Sequence, residues 1–350
     1  MSINNTINGV SLFANVGIAE TYISQHNITM TVANELLENR VRFHKQNHPN
    51  CHTIGGDITS KETYAAVLSA AKKDKCDFLL ATPPCQGMSI AGRMQENDPR
   101  NSLIKYVIKM IQDLQPTYAL IENVPQMLRT YLVHNGEKIK VVDFILNELQ
   151  DYVVNYKVVD AAEYGTPQSR KRAIFLISKK KKWEFPKAEK KITVAEAIGH
   201  LPSLESGESS SIEYHNAKKH NDRHILCLRH TPSGKSALHN KQYYPKKLDG
   251  NRVKGYTTTY KRIEWQKPAP TITMANGSVS SQNNVHPGKL KADGTYSDAR
   301  VLTLKEIFIL TGLPEDWHPP KWASDNFIRQ VIGEGVPPRL IERLLQTLPR

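Results

Sequence analysis

Short apolar runs recur through the first 178 residues of the chain, and several of them are rich in β-branched residues. A run of four to eight such residues, bounded by polar or turn-forming residues, is typical of a β-strand. The pattern predicts strands at residues 10–14, 28–33, 78–81, 118–121 and 171–177.

Longer segments with helical spacing lie between these runs. Apolar side chains mark one helical face at Leu103, Val107, Ile108, Ile111 and Leu114. The same spacing predicts helices at 142–149, 303–310 and 338–348. Alternating strands and helices predict an α/β fold, with a mostly parallel sheet covered by helices on both faces. Ligands of such sheets bind at the carboxyl ends of the strands, so the informative residues should follow the strands.

The composition of the chain changes after Ser178, where Gly, Pro, Ser, His and Lys become frequent and the hydrophobic periodicity weakens. We therefore predict two domains. The first comprises residues 1–178 together with 326–350, and the second, smaller and loop-rich, comprises residues 179–325. The chain shows no internal repeat.

The charge of the chain is concentrated in one region. The 350 residues contain 47 Lys and Arg against 34 Asp and Glu, a formal charge of +13. Residues 179–267 alone contain 20 basic and 9 acidic residues, a difference of +11. A solvated surface with a flexible linker would explain part of this excess. Its concentration favours a surface that meets a polyanion, because Lys and Arg supply the sequence-independent part of nucleic-acid affinity.

Several classes of protein are disfavoured by the same sequence. No segment approaches the ~20 apolar residues that a membrane helix needs, and residues 1–8 are polar, unlike a secretory signal. The four cysteines, at 51, 76, 85 and 227, form neither a disulfide framework nor a Cys-x-x-Cys metal pair. We predict a reduced, cytoplasmic protein that holds no metal and binds no membrane.

Three short segments carry residues suited to chemistry. Thr82-Pro-Pro-Cys-Gln-Gly-Met-Ser89 follows one predicted strand, Glu122-Asn-Val124 follows the next, and Gln168-Ser-Arg-Lys-Arg172 precedes a third. Each alone has an ordinary structural explanation, because a lone cysteine is usually buried and a lone carboxylate at a strand end usually lies at the surface. Together they offer a thiol, a carboxylate and two guanidinium groups to one cleft.

Methylation of cytosine at C5 requires such a set. The aromatic ring makes C5 a poor nucleophile until a thiolate adds at C6 and gives an enamine that attacks an electrophilic methyl group. A carboxylic acid beside N3 stabilises the adduct by donating a proton, and nearby arginines favour the thiolate and hold the base. Loss of the C5 proton and departure of the thiol complete the cycle.

With these motifs in this order, the chain resembles the cytosine-C5 DNA methyltransferases in their compact bacterial form, over nearly its whole length. The resemblance implies a Rossmann-like S-adenosylmethionine-dependent methyltransferase fold with a DNA-recognition domain at residues 179–325. It implies the catalytic residues Cys85 as nucleophile, Glu122 as the partner of N3, and Arg170 with Arg172 around the base.

The resemblance also implies which residues bind substrate. Residues 82–92 match the family's Pro-Cys-Gln loop, Glu122-Asn-Val124 its Glu-Asn-Val motif, and 168–172 its Gln-x-Arg-x-Arg motif. The substrate-binding set is Gln86, Ser89, Asn123, Gln168, Arg262 and Thr271. We expect the cytosine to be flipped out of the duplex, and residues 86–101 to close over it so that water is excluded.

The cofactor implied is S-adenosylmethionine, with S-adenosylhomocysteine as product. Residues 13–17 match the family's Phe-x-Gly-x-Gly loop, and residues 333–338 resemble its closing Gly-Asn-x-Val-Pro segment. The resemblance gives a cofactor set of Phe13, Asn15, Gly17, Glu35, Asp57, Ile58, Pro84, Leu103, Glu334 and Val336. A carboxylate such as Glu35 after the second strand binds ribose hydroxyls in many α/β folds.

Some positions depart from the family pattern. Asn15 and Ile18 stand where glycines are usual, and Ser11 stands where an acidic residue is frequent. Thr82 replaces a glycine, and Glu334 replaces the asparagine of the closing segment. Asn tolerates positive φ better than most residues, so Asn15 is expected to keep the turn. These departures bear on cofactor affinity more than on the chemistry.

Three other hypotheses stay open. Thr82-Pro-Pro-Cys85 is close to the Asp/Asn-Pro-Pro-aromatic motif of amino-group methyltransferases, but that reading leaves Glu122 and residues 168–172 unexplained. An RNA substrate is a second possibility, since a related group with the same catalytic plan modifies transfer RNA. A catalytically weak DNA-binding protein is the third. The resemblance further implies a monomer acting on double-stranded DNA, with a companion restriction endonuclease of the same site.

Overall fold

The computed structural model describes residues 6–84, 102–179, 181–247 and 249–349. The predictions for Cys85, Gln86, Ser89 and the closing loop at 86–101 fall outside these residues. The chain divides into two compact units. We call Met1–Asp160, Lys171–Ala188 and Pro338–Arg350 the sheet unit, and Ala161–Arg170 with Glu189–Pro337 the loop unit.

The sheet unit contains a seven-stranded sheet in the order β3-β2-β1-β4-β5-β9-β8. The strands are β1 Ile7–Leu12, β2 Ile28–Glu35, β3 His52–Gly55, β4 Phe78–Ala81, β5 Tyr118–Asn123, β8 Val153–Asp160 and β9 Lys171–Ser178. Strands β1 to β5 pair in parallel, and β9 runs antiparallel to both of its neighbours. The predicted α/β class with a mostly parallel sheet is confirmed.

The helices of the sheet unit are α1 Glu38–Asn47, α2 Lys61–Lys73, α3 Leu103–Leu114, α4 Val141–Glu148 and α9 Pro338–Leu345. Helix α3 has the bounds that its apolar spacing predicts, because the apolar side chains on one face of the helix pack into the core. One core cluster joins strand residues to α2, α3 and α4, and includes Val10, Leu12, Leu79, Ile121, Val67, Ile108 and Ile145. Burial of this apolar face of α3 contributes most of the helix's stability.

Helices α1 and α2 of the sheet unit, and four of its strands, were not predicted from the pattern. Strand β3 has only four residues, and the hairpin of β6 Tyr131–His134 and β7 Glu137–Lys140 has strands equally short. Strand β8 lies at the edge of the sheet, where Val153, Tyr156 and Val158 remain partly exposed among polar neighbours. A short or edge strand buries too little surface to impose a clear alternation on its sequence.

The loop unit contains the helices α5 Val194–Ile198, α6 Asp222–Arg229, α7 Leu304–Thr311 and α8 Asp325–Glu334, joined by long irregular segments. One apolar cluster includes Leu228, Ala237, Val285 and Val301. Helix α8 and residues 161–170 belong to this unit, whereas the sequence pattern placed them with the first domain. The functional division into catalytic and recognition domains stays a prediction.

The loop unit also has a buried charge network, here called the Arg300 network. The Arg300 guanidinium donates to both carboxylate oxygens of Glu306, each at 2.9 Å, and to Asp298 at 3.0 Å. His286 lies 3.6 Å from Glu306 and 3.7 Å from Asp298. Arg300 holds the pKa of Glu306 well below its usual range despite complete burial. Ionic contacts thus organise a unit with little regular structure.

No helix in the described segments is long and apolar enough to cross a membrane. No group of three or more His, Cys, Asp or Glu side chains suited to hold a metal ion occurs among those same residues.

Candidate active site at the strand ends

Glu122 and Arg172 form an ion pair where β5 ends and β9 begins. The Arg172 Nε lies 2.6 Å from the Glu122 Oε1, and the two side chains are only 13% and 8% exposed. The antiparallel pairing of the two strands brings them together, since Asn123 lies opposite Ala173. The Arg172 Nη1 also donates to the Lys171 carbonyl at 2.7 Å. The guanidinium therefore fixes the carboxylate in one orientation.

Asn123 connects the carboxylate to the segment before the predicted nucleophile. Its Nδ2 donates to the Pro83 carbonyl at 3.0 Å, and its Oδ1 accepts from the Val124 amide at 2.8 Å. Pro83 lies two residues before Cys85 in the chain. The buried amide thus joins the ends of the adjacent parallel strands β4 and β5.

The turn after β1 has an unusual backbone. Phe13, Asn15 and Gly17 all have positive φ, at 59°, 51° and 82°. Asn15 adopts the left-handed conformation that a glycine would take at little cost. The Ala14 amide donates to the Asn34 carbonyl at 2.9 Å, which holds the turn against the end of β2.

Glu35 is bound on both carboxylate oxygens. Its Oε2 accepts from the Asn15 amide at 2.9 Å and its Oε1 from the Leu37 amide at 3.0 Å. Burial raises the pKa of Glu35, and these hydrogen bonds oppose that effect. The carboxylate is therefore held rigidly beside the turn at the end of β2.

The other predicted cofactor residues of the sheet unit follow strands or begin a helix. Asp57, two residues after β3, is exposed and its Oδ1 accepts from the Thr59 amide at 2.8 Å, while Ile58 is buried in the core. Pro84, after β4, and Leu103, at the start of α3, are half-buried. The structure thus gathers residues following β1, β2, β3 and β4 at the carboxyl edge of the sheet, where α/β folds bind ligands.

Thr82 makes a contact that a glycine could not make. Its Oγ1 donates to the Phe13 carbonyl at 3.0 Å, and its amide donates to the Leu12 carbonyl at 3.2 Å. The departure from the family pattern at this position therefore supports the turn after β1.

The loop unit holds the remaining predicted residues. Gln168 is buried, and its Oε1 accepts from the Ile272 amide at 3.2 Å. Arg170 is buried as well, and it donates to the Ile272 carbonyl at 3.1 Å and the Glu334 carbonyl at 3.3 Å. The Thr271 hydroxyl donates to the Ser169 carbonyl at 2.9 Å. These bonds hold residues 168–170 against residues 269–272.

Glu334 and Val336 lie at and just beyond the end of α8. The Arg170 contact uses the main chain of Glu334, so the change from asparagine leaves that contact available. The Glu334 Oε1 accepts from Gln330 at 3.2 Å, and Val336 is buried.

Arg262 has a structural position, in contrast to the substrate-binding role expected from its sequence. It is fully buried and donates to the carbonyls of Leu228, His286 and Asp298. Burial lowers its pKa to about 10, still well above neutrality. With no exposed surface, the guanidinium holds loops together, and we assign it that role in place of contact with DNA.

The pattern of the sequence missed two residues that contact this edge. His48, which directly follows α1, has its Nε2 3.1 Å from the Gly17 carbonyl, and Glu20 accepts a hydrogen bond from the Ser11 hydroxyl of β1. Neither belongs to a recognisable motif. One signal in the sequence bears on Glu20. Ser11 stands where an acidic residue is frequent, and a carboxylate from elsewhere in the chain could take the place of the missing one.

A Gly17→Ala substitution should destabilise the protein more than a matched Gly136→Ala substitution. Both glycines have φ near +82°, but an added Cβ at Gly17 would lie 2.0 Å from the His48 Nε2, whereas nothing lies within 4 Å at Gly136. Left-handed strain costs either variant ~1–2 kcal/mol, and overpacking adds ~1–3 kcal/mol at Gly17 alone. Urea denaturation measures both, and equal losses would show that His48 moves freely.

His44 should make the stability of the protein depend on pH. It is buried, with its Nδ1 2.8 Å from the Thr53 Oγ1, and burial lowers its pKa from 6.5 to about 3. As the pH falls, the His44 imidazole is therefore protonated in the unfolded chain before it is protonated in the folded protein. The free energy of unfolding decreases progressively below pH 6.5 for this reason. Between pH 7 and pH 4 the loss is about 3 kcal/mol.

The test compares His44→Gln with wild type by urea denaturation at pH 7 and pH 4. The wild type alone cannot isolate the effect of His44, because the pKa of Glu20 is raised to about 7 and its protonation stabilises the folded protein as the pH falls. The comparison between the two proteins removes this opposite effect. The fall in stability should be smaller in His44→Gln by about 3 kcal/mol. The exposed His318→Gln serves as the control. Equal falls in His44→Gln and wild type would contradict the assignment of a neutral buried His44.

The fold and these strand-end residues are typical of α/β enzymes, which bind their ligands at the carboxyl edge of the sheet. Residues 7–350 match the C-5 cytosine-specific DNA methylase family, and the chain therefore belongs to that family of DNA cytosine methyltransferases.

Known relatives agree with this membership. The chain is 45% identical to the Type II methyltransferase M1.HgaI of Avibacterium volantium, over 98% of both chains. It is 28% identical to the Type II methyltransferase M1.HphI of Haemophilus parahaemolyticus, over 87% of this chain and 76% of that one. The methyltransferase EhMeth of Entamoeba histolytica shares the fold, with a TM-score of 0.65 and 16% identity over 99% of this chain and all of that one.

Proposed function

We propose that the chain methylates C5 of a cytosine within a short, specific duplex DNA site through a covalent bond between Cys85 and C6. One observation carries this proposal. The Glu122 carboxylate is fixed by Arg172 at 2.6 Å, and the neighbouring Asn123 is bonded at 3.0 Å to Pro83, two residues before Cys85. An acid is thereby positioned at the end of the strand next to the one that the thiol follows.

The residues divide the chemistry between them. The Cys85 thiolate attacks C6 and breaks the aromaticity of the ring, while the Glu122 carboxyl group donates a proton to N3. C5 of this adduct is the nucleophile that accepts the methyl group. A base then removes the C5 proton, the electrons restore the double bond as the thiolate leaves, and N3 returns its proton to Glu122. Arg172 holds the Glu122 carboxylate in place throughout.

The methyl donor that we propose is S-adenosylmethionine, which when bound supplies a methyl group on a sulfonium sulfur. The carboxyl edge of the sheet unit fits it, since the Asn15 and Leu37 amides hold the Glu35 carboxylate beside the turn at 13–17, where a carboxylate can bind ribose hydroxyls. We propose that the donor is held by Phe13, Asn15, Gly17, Glu35, Asp57, Ile58, Pro84 and Leu103 of this unit. Glu334 and Val336 of the loop unit complete the proposed set on the basis of the family resemblance.

Duplex DNA is the proposed substrate because of the basic character of residues 179–267. Arg223, Arg229 and Lys235 are exposed, and Tyr256 is 79% exposed. The Arg252 guanidinium lies over the ring of Tyr244 at 3.6 Å, so the region also presents stacked aromatic and cationic groups. Such groups bind phosphates and base edges. Gln86, Ser89, Asn123, Gln168 and Thr271 are proposed to position the flipped cytosine.

The role in the cell that we propose is modification of the site of a restriction endonuclease, following the Type II relatives. The endonuclease need not bind this chain. A monomer is sufficient for the proposed reaction, because the chain supplies the thiol, the acid and the proposed donor site.

Labelled S-adenosylmethionine tests the proposal when it is incubated with mixed-sequence duplex DNA and, separately, with transfer RNA. After digestion to nucleosides, the label should appear in 5-methyldeoxycytidine and should vanish with Cys85→Ala. Label on an exocyclic nitrogen would overturn the role of Cys85, and label in RNA alone would overturn the substrate. Salt-dependent DNA binding without any label, on DNA that contains every six-base site, would indicate a binding protein.

A further inference from the structure

Glu20 is a buried carboxylate that the proposed reaction does not use. It lies three residues after Gly17 and is 6% exposed. One carboxylate oxygen, Oε1, accepts a hydrogen bond from the Ser11 hydroxyl at the end of β1. The other, Oε2, is buried and has no hydrogen-bond partner. Glu20 also forms no salt bridge with any described residue.

Comparison with Glu35 shows that the hydrogen bonding of the Glu20 carboxylate is incomplete. Both oxygens of Glu35 accept backbone hydrogen bonds, whereas Glu20 keeps one oxygen unused. The two carboxylates lie close enough to repel each other, which together with burial disfavours the charged form of Glu20. A buried carboxylate oxygen that lacks a hydrogen-bond donor is costly to the folded protein. A ligand that supplies a cation with N–H donors would remove that cost.

We propose that Glu20 binds the α-ammonium group of the methyl donor through its free carboxylate oxygen. The inference rests on the proposed use of S-adenosylmethionine. Among the groups of that molecule, the sulfonium has no N–H or O–H to donate, and the ribose hydroxyls and adenine amine are neutral. The ammonium group alone offers both a positive charge and several donors, so it matches a buried carboxylate that has no cationic partner among the described residues and one oxygen without a donor.

The position of Ser11 supports the same assignment. Its hydroxyl donates to Glu20, so the strand end carries a hydroxyl and the carboxylate reaches it from the segment after the turn. The Phe13–Gly17 turn of the proposed donor site lies between Ser11 and Glu20 in the chain, and the amide of Asn15 in that turn donates to Glu35. Glu20 thus belongs to the same edge of the sheet.

Calorimetric titration with two ligands that cannot transfer a methyl group tests the proposal. S-adenosylhomocysteine has the ammonium group, and 5′-methylthioadenosine has the same nucleoside without it. Glu20→Gln keeps the size of the side chain and can still accept from Ser11, but it lacks the charge. It should weaken binding of S-adenosylhomocysteine by about 10- to 100-fold and leave that of 5′-methylthioadenosine unchanged.

The ratio of the two affinities decides the outcome. An equal loss for both ligands, or no loss for either, would overturn the role of Glu20. Failure of the wild-type protein to bind both ligands would instead overturn the proposed cofactor, so the two failures are distinguishable. Glu20→Ala, measured with the same two ligands, answers the question if the glutamine variant does not fold.

Discussion

Glu122→Gln should lower kcat for DNA methylation by about 10²- to 10⁴-fold, the usual contribution of a positioned acid or base. The amide keeps the shape of the side chain and can still accept a hydrogen bond from Arg172, which lies 2.6 Å from the carboxylate. It cannot donate a carboxylic proton to N3. The loss should therefore fall on the chemical step, with DNA affinity nearly unchanged. Single-turnover transfer of labelled methyl measures the rate, and filter binding measures the affinity.

The matched control is Glu137→Gln, which makes the same chemical change at an exposed position in β7. Its rate should equal that of the wild type. A decrease of less than tenfold in Glu122→Gln would show that N3 is protonated by another group. A loss of DNA binding without a change in the transfer rate would assign Glu122 to substrate binding alone.

Arg300→Met should destabilise the loop unit by about 3–5 kcal/mol, because breaking one member of a buried ion network leaves its partners uncompensated. Arg300 is fully buried and donates to Glu306 and Asp298, both of which are nearly inaccessible to water. Without the guanidinium these two carboxylates would lose their shared cationic partner in a poorly solvated interior. Urea denaturation followed by tryptophan fluorescence measures the loss, since Trp265 and Trp317 lie in this unit.

The exposed Arg223→Met provides the comparison, and we expect a change within ±0.5 kcal/mol for a surface substitution of this kind. A loss below about 1 kcal/mol in Arg300→Met would mean that water reaches the network and that the unit depends on its apolar cluster instead. Restoring neutrality with Glu306→Gln in the Arg300→Met background should recover part of the loss, because fewer charges are then left unpaired.

The sequence predicted the elements that bury a regular apolar pattern. Strand β4 and helix α3 have their predicted bounds, because nearly every side chain of β4 and one full face of α3 contact the core. Strand β8 was missed because it pairs on one edge only and mixes exposed apolar with polar residues. The hydrophobic pattern also could not predict the order of the strands in the sheet, because that order depends on pairings between strands that are distant in the chain.

The sequence predicted the residues of the candidate site that belong to a motif. It could not predict the contacts that depend only on tertiary packing. Glu122 and Asn123 follow a strand as expected, and their contacts with Arg172 and Pro83 join the predicted motifs. The surroundings of Arg262 were not predictable from the sequence, because the loop carbonyls that enclose it come together only in the packed unit.

The Arg300 network left a faint signal in the sequence. Thr303 and Glu306 are spaced as a capping box, and the structure shows both of its hydrogen bonds at the start of α7. Nothing in that spacing indicates that Glu306 also meets Arg300 and His286, because those contacts depend on how the loops pack.

The covalent bond between Cys85 and cytosine is the central claim, and a duplex with 5-fluorocytosine at the methylated position tests it most directly. Fluorine at C5 cannot leave as the proton does, so the enzyme should remain attached after methyl transfer, as measured by mass spectrometry under denaturing conditions. We predict one covalent complex in the wild type and in Cys227→Ala, and none in Cys85→Ala. A complex that survives in Cys85→Ala, or methylation by a wild type that never forms one, would contradict the account.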